Sequence, residues 1–118
     1  MMFKKQMAEL IFAGKKTATR RDPEKSKRNY KVGSVQPIQY SYHEKAKGHI
    51  QIIKAYEQRL SDMTNEDALK EGFRNLGEFY SYFAQINKLL PHEVFTMLSR
   101  FVKVYEFSFL SSKQGAEK

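Results

Sequence analysis

The sequence predicts an α+β fold. Three observations lead there: an amphipathic helical pattern opens the chain, segments of strand-like alternation follow, and capped helical patterns separate those from a last, strongly alternating run at residues 101–110. Helices and strands that segregate along a chain in this way pack as layers around one apolar core. The chain has 118 residues, the size of one ordinary domain, so a single domain over residues 1–110 is expected, followed by a polar, frayed tail at 111–118.

Phe3, Met7, Leu10 and Ile11 recur at helical spacing and Gly14 supplies a stop, which predicts a helix over 2–13. Residues 16–21 read as a short strand, with Thr17 and Thr19 on one face. Residues 22–34 carry Pro23, Gly33 and many charges, and read as a mobile loop. A strand is predicted over 35–42, with Pro37 marking an edge or bulge. After a polar turn at 44–48, a returning strand runs over 49–60, where the adjacent Ile52 and Ile53 break alternation and suit a bulge. Thr64-x-x-Asp67 is a capping box for a two-turn helix that Gly72 ends. Asn75-x-x-Glu78 repeats the pattern ahead of Phe79, Phe83, Ile86 and Leu90, predicting a helix over 76–89; Pro91 suits the first turn of a short helix over 92–98. In the closing strand, Phe101, Lys103, Tyr105, Phe107 and Phe109 share one side.

Composition excludes several classes. A 41% apolar content with nine Phe and seven Tyr is too rich for disorder. No apolar run approaches the roughly 20 residues of a membrane span. Lys4 and Lys5 precede no long apolar stretch, so no secretory signal is expected. With no cysteine there is neither a disulfide framework nor a thiolate site. The expectation is a soluble, cytoplasmic protein. His43, His49 and His92 have no partners at ligand spacing, so neither a metal nor a cofactor is expected.

The net charge of +8 points to nucleic acid, nucleotides or another anionic partner. It is uneven. Residues 1–54 hold 13 Lys+Arg and 4 Asp+Glu, net +9; residues 55–118 hold 8 and 9, net −1. The densest stretch is 15–31, with Lys15, Lys16, Arg20, Arg21, Lys25, Lys27, Arg28 and Lys31 against Asp22 and Glu24. Tyr40 and Tyr42 share a strand face and are candidates to stack on a base.

The segment Leu-Ile-Phe-Ala-Gly-Lys-Lys-Thr-Ala-Thr-Arg-Arg at 10–21 resembles the signature of the ASCH domain family, Gly-x-Lys-x-x-Glu-x-Arg. Gly14, Lys16 and Arg21 match in register, and Thr19 replaces the Glu. The stretch 60–73, with Ala68-x-x-Glu71-Gly72-Phe73, then Leu76-Gly-Glu-Phe79, resembles the family's helix entry, and the last strand its closing strand. The resemblance covers most of 3–110. It implies a PUA-like mixed β-barrel of about five to six strands with two to four flanking helices. It also implies a cleft, lined by the signature, that binds RNA or a nucleotide-like ligand. The basic residues of 15–31 other than Lys16, with Tyr40 and Tyr42, are its binding candidates.

Thr19 gives a second reading, because the small bacterial N4-acetylcytidine amidohydrolases of this family resemble the sequence in having Thr there. That resemblance implies a catalytic set of Lys16, Thr19 and Glu71, acting on an N-acylated cytidine or similar modified nucleoside. The residue types suit the chemistry. A Thr hydroxyl needs a base, a Lys with a lowered pKa can be one, and a Glu in a closed cleft can supply a proton. On a regular strand Lys16 and Thr19, three apart, face opposite sides and converge only if the chain bulges or turns. Glu71 falls at a helix C-terminus, where a carboxylate meets the negative end of the dipole, which asks for a reason for its presence. A metal-independent ribonuclease drawing an acid–base pair from Lys16 and Glu71, and a plain protein-interaction domain, stay open.

Overall fold

A computed structural model describes residues 1–110; the expected tail, 111–118, lies outside the described residues. The elements in chain order are α1 (Lys5–Phe12), β1 (Ala18–Arg21), β2 (Val35–Ile38), β3 (Gly48–Arg59), a 3-10 turn (Leu60–Asp62), α2 (Asn65–Lys70), α3 (Leu76–Ile86), α4 (Glu93–Met97) and β4 (Phe101–Leu110). The α+β class is as predicted. The strands number four among the described residues, fewer than the five to six expected, and form one sheet in the order β1-β4-β3-β2 with every neighbour antiparallel. Among the described residues parallel pairing is confined to an isolated bridge between Met2 and Gln39.

That bridge explains why α1 begins at Lys5 rather than residue 2. Phe3 N donates to the Gln39 carbonyl (2.9 Å) and Gln39 N to that of Met1 (3.0 Å), so residues 1–3 lie extended beside the end of β2. β2 itself stops at Ile38, short of the predicted residue 42, and Pro37 sits in it as expected of an edge strand. α3 stops at Ile86 rather than 89. Asn87 caps it by donating to the Phe83 carbonyl (2.9 Å), and Lys88 takes φ 54°, which ends helical geometry. The bulge falls between Ile52 and Lys54, where the pattern asked for one; it leaves Ile53 exposed while Ile50 and Ile52 stay buried.

β4 departs from simple alternation. It buries Val102 and Val104 in its first half, then Tyr105 and Phe107 in its second, while Phe101 is exposed. The switch occurs because this interior strand serves two cores. One, of Phe3, Met7, Ile11, Ile38, Ile50, Ile52, Tyr105 and Phe107, packs α1 on the sheet. The other, of Leu60, Met63, Ala68, Phe79, Phe83, Met97, Val102 and Val104, packs α2, α3 and α4 on it. The capping box of α2 forms as read: the Thr64 hydroxyl accepts from Asp67 N, and the Asp67 carboxylate from Thr64 N.

The sheet's two edges, β1 and β2, do not pair with each other. They leave a seam with the extended residues 1–3 on the β2 side and β1 on the other.

Candidate functional site

A cleft of about 690 Å³ opens along that seam. β1 supplies Thr19, Arg20 and Arg21; the loop after it supplies Lys25, Lys27 and Arg28; Tyr40 and Tyr42 come from the β2–β3 connection, and α3 contributes Phe79, Tyr82 and Phe83. Seven lining residues are Lys or Arg, against the two acids Asp22 and Glu71. Seven of the 13 Lys and Arg of residues 1–54 thus line the cleft.

At the floor, Lys16 is 4% exposed and Glu71 2% exposed. Lys16 Nζ donates to Glu71 Oε1 (2.9 Å) and to the Glu71 carbonyl (3.0 Å). Arg20 Nη1 donates to Glu71 Oε2 (2.8 Å), so both carboxylate oxygens are engaged by cations. Behind Arg20, Gln58 Oε1 accepts from its Nε (3.1 Å) and Nη2 (2.8 Å). Asp67 lies 3.5 Å from Arg20 Nη2 and accepts from Gln58 Nε2 (3.3 Å). Burying charge is tolerable only when it is paired and hydrogen-bonded, and this network meets that condition.

Local backbone explains the convergence. Lys16 precedes β1, in the turn after α1, where Lys15 N and Lys16 N donate to the Leu10 carbonyl and Gly14 takes φ 76°. Thr17 N then donates to the Lys70 carbonyl (2.7 Å), drawing this turn against the end of α2, whose C-cap is Glu71. Gly72 follows at φ 95°, with Leu10 packed so close that a Cβ there would lie 2.8 Å from Leu10 Cδ1. Only glycine suits both the left-handed backbone and that contact.

The second face of β1 carries Thr19 and Arg21. Arg21 Nε donates to Thr19 Oγ1 (3.2 Å) and Nη2 to the Met2 carbonyl (2.8 Å), and the guanidinium lies 4.9 Å from the centre of the Phe3 ring. Arg21 thereby ties β1 to the residues beside β2 across the seam. Among the described residues Lys16 makes no hydrogen bond to Thr19; the two line the same cleft without touching through one.

Burial lowers the Lys16 pKa from the usual lysine value; Glu71 acts against this, and Arg21 and Arg20 add to it. Burial likewise lowers Arg21, with Tyr30, Glu71 and Tyr82 acting in the opposite sense. Lys16 spends two of its three N–H groups on Glu71.

Of the other residues singled out, Arg28 lies 5.2 Å from the Tyr42 ring centre and Lys47 5.3 Å from that of Tyr40. Lys25, Lys27 and Arg28 line the cleft, whereas Lys15 and Lys31 are exposed and outside its lining. Arg20 is turned inward onto Glu71 rather than toward a ligand. Gln58 escapes a reading of the sequence altogether, and Asp67 is legible there only as a helix cap. Their link to Arg20 spans 38 and 47 residues, with no local pattern to betray it. Met2 and Phe3 were expected inside a helix and instead wall the cleft. Among the described residues no group of three or more His, Cys, Asp or Glu is placed to hold a metal ion.

The family model of the ASCH domain matches residues 1–105, and the chain belongs to that family. Its fold is similar to the ASCH domain from Lactobacillus crispatus JV V101, at 18% identity and a TM-score of 0.71 over 88% of this chain and 70% of that one. It is similar to protein EF3133 from Enterococcus faecalis V583, at 16% identity and a TM-score of 0.66 over 89% and 70%. It also resembles the hypothetical protein PH0355, at 19% identity and a TM-score of 0.67 over 93% and 96%. Curated proteins gave no match. The sheet with its four helices is an α+β fold of the ASCH, PUA-like kind. No helix among the described residues is long and apolar enough to cross a membrane.

Proposed function

We propose that the protein binds RNA or a nucleotide-like ligand in the seam cleft. The ASCH fold supports a general RNA-binding-type domain. The observation that carries the reading is the lining itself: seven cations against two carboxylates, with Tyr40 and Tyr42 beside them, in a volume suited to a small ligand. Lys25, Lys27 and Arg28 attract phosphate, and Tyr42, 59% exposed, offers a ring face to a base. Titration of a short single-stranded RNA by fluorescence anisotropy at two salt concentrations tests this. Affinity falls steeply with salt and falls again in Tyr42→Ala. A curve indifferent to both overturns the reading, and loss of intact RNA during the titration turns it toward the ribonuclease.

A second reading is hydrolysis of an N-acylated cytidine, favoured by the buried, pKa-lowered Lys16 sharing a cleft with Thr19 and Glu71. The Thr19 hydroxyl would attack the acyl carbonyl, Lys16 in its deprotonated form would take the hydroxyl proton and pass it to the departing amine, and water would release the acyl group from Thr19. The missing hydrogen bond between Lys16 and Thr19 is why binding stands first. Incubation with N4-acetylcytidine decides: release of cytidine that stops in Thr19→Ala supports this chemistry, and no release ends it.

A further inference from the structure

The cations at the cleft floor differ in how they are neutralised. Lys16 and Arg20 share Glu71, and Arg20 also approaches Asp67. Arg21 has no carboxylate within salt-bridge distance among the described residues. Its position is nonetheless fixed three ways, by Thr19, by the Met2 carbonyl and by the Phe3 ring. Its Nη1 makes no hydrogen bond among the described residues. Among the described residues no buried side-chain nitrogen or oxygen is left unpartnered, so that Nη1, on a residue that lines the cleft, keeps access to solvent. A guanidinium cannot shed its proton to escape a poorly solvated site; an anion is what remains to balance it.

Two hydroxyls accompany it. Tyr30 packs edge-on against Tyr105 (ring centres 5.3 Å apart) and Tyr82 against Phe73 (5.2 Å), which holds both rings in place. Both residues line the cleft, and neither hydroxyl has a hydrogen-bond partner among the described residues. The Arg21 charge also acts on the Tyr82 hydroxyl, whose pKa burial raises and Arg21 lowers.

We infer that Arg21, with the hydroxyls of Tyr30 and Tyr82, forms a subsite for a phosphate group of a nucleotide. The inference rests on the reading that the cleft takes a nucleotide-like ligand. Three donors in one cleft, one of them charged, match the acceptor oxygens of a phosphate monoester. The mouth cations Lys25, Lys27 and Arg28 then serve the rest of the ligand.

Calorimetric titration with cytidine 5′-monophosphate, cytidine and inorganic phosphate tests it. Cytidine monophosphate is expected to bind about tenfold or more tightly than cytidine. The double variant Tyr30→Phe, Tyr82→Phe removes two oxygens that make no hydrogen bond among the described residues. It is expected to cut monophosphate affinity about tenfold and leave cytidine unaffected. Arg21→Lys lowers monophosphate affinity as well. Equal affinity for the two ligands, or a double Phe variant with unchanged monophosphate affinity, overturns the subsite and leaves the cleft reading standing. Binding of inorganic phosphate that needs the two hydroxyls, with no extra affinity for the nucleotide, supports the subsite and ends the nucleotide reading. If none of the three binds, both fall.

Discussion

Lys16 and Glu71, 55 residues apart in sequence, are joined twice: one ammonium reaches both the carboxylate, at 2.9 Å, and the backbone carbonyl, at 3.0 Å. Glu71 is the C-cap of α2, where carbonyls lack helical partners and the dipole disfavours an acid. Lys16 answers both problems, filling the open carbonyl and, with Arg20, neutralising the carboxylate. The pair is therefore part of the framework as well as of the cleft.

Glu71→Gln leaves Lys16 and Arg20 buried beside a neutral side chain. Removing one partner of a buried pair costs on the order of 3–5 kcal/mol, and urea unfolding is expected to show a loss of that size. Lys16→Met combined with Glu71→Leu removes both charges and is expected to cost less than the sum of the single changes.

Acid sensitivity should centre on Asp67. Burial pushes its carboxyl up, but hydrogen bonds from Thr64 N and Gln58 and the charge of Arg20 outweigh this and hold it below the usual aspartate value. A carboxyl with a depressed folded pKa binds protons more weakly in the folded state. Its contribution is present above about pH 4 and is lost as pH falls through the folded value. Asp67→Asn is expected to flatten that part of the stability–pH curve and to cost about 1 kcal/mol at neutral pH through the weakened cap. An unchanged acid limb would assign the sensitivity elsewhere.

Gly72→Ala tests the junction between α2 and the turn that carries Lys16. The added Cβ meets Leu10 Cδ1 at 2.8 Å on a backbone at φ 95°. A loss of about 1–3 kcal/mol is expected, read as a lowered Tm. Gly33→Ala, also at positive φ but with nothing within 4 Å, is expected to cost less.

The loop cations should be visible in the salt dependence. Each phosphate contact contributes about −0.7 to the slope of log affinity against log salt for single strands. Lys27→Ala and Arg28→Ala are each expected to make the RNA-binding slope shallower by up to about that amount. Lys15→Ala and Lys31→Ala, outside the cleft lining, are expected to leave it unchanged.

The local signals in the sequence were reliable. Thr64 with Asp67, the Gly72 stop, the bulge at Ile53 and Pro37 on an edge strand are each set by neighbours a few residues away, so they are legible in the chain. Lys16, Thr19 and Glu71 line one cleft, as the motif that suggests them leads one to expect. What stayed hidden depends on distant partners. Met1–Phe3 trade helix for a bridge to Gln39, β4 switches its buried face between two cores, and Gln58 acquires a role only when β3 comes to lie across from β1. Arg20 and Arg21 look alike in sequence; alternation along β1 sends one to Glu71 and the other to Thr19 and Met2.

The antiparallel pairing of β1 with β4 sets a timetable for the molecule. Among the described residues Ala18 through Arg21 find their strand partners at Lys103 through Glu106, so the strand bearing Thr19, Arg20 and Arg21 cannot be seated until β4 exists. Such distant pairings close late in folding. During synthesis the basic arm of the chain emerges first, with its acidic counterweights, Asp67 and Glu71, still to come. The nascent chain passes through an interval in which its cations are exposed and unsorted, and the distinction between neutralised Arg20 and open Arg21 arises only when β4 arrives.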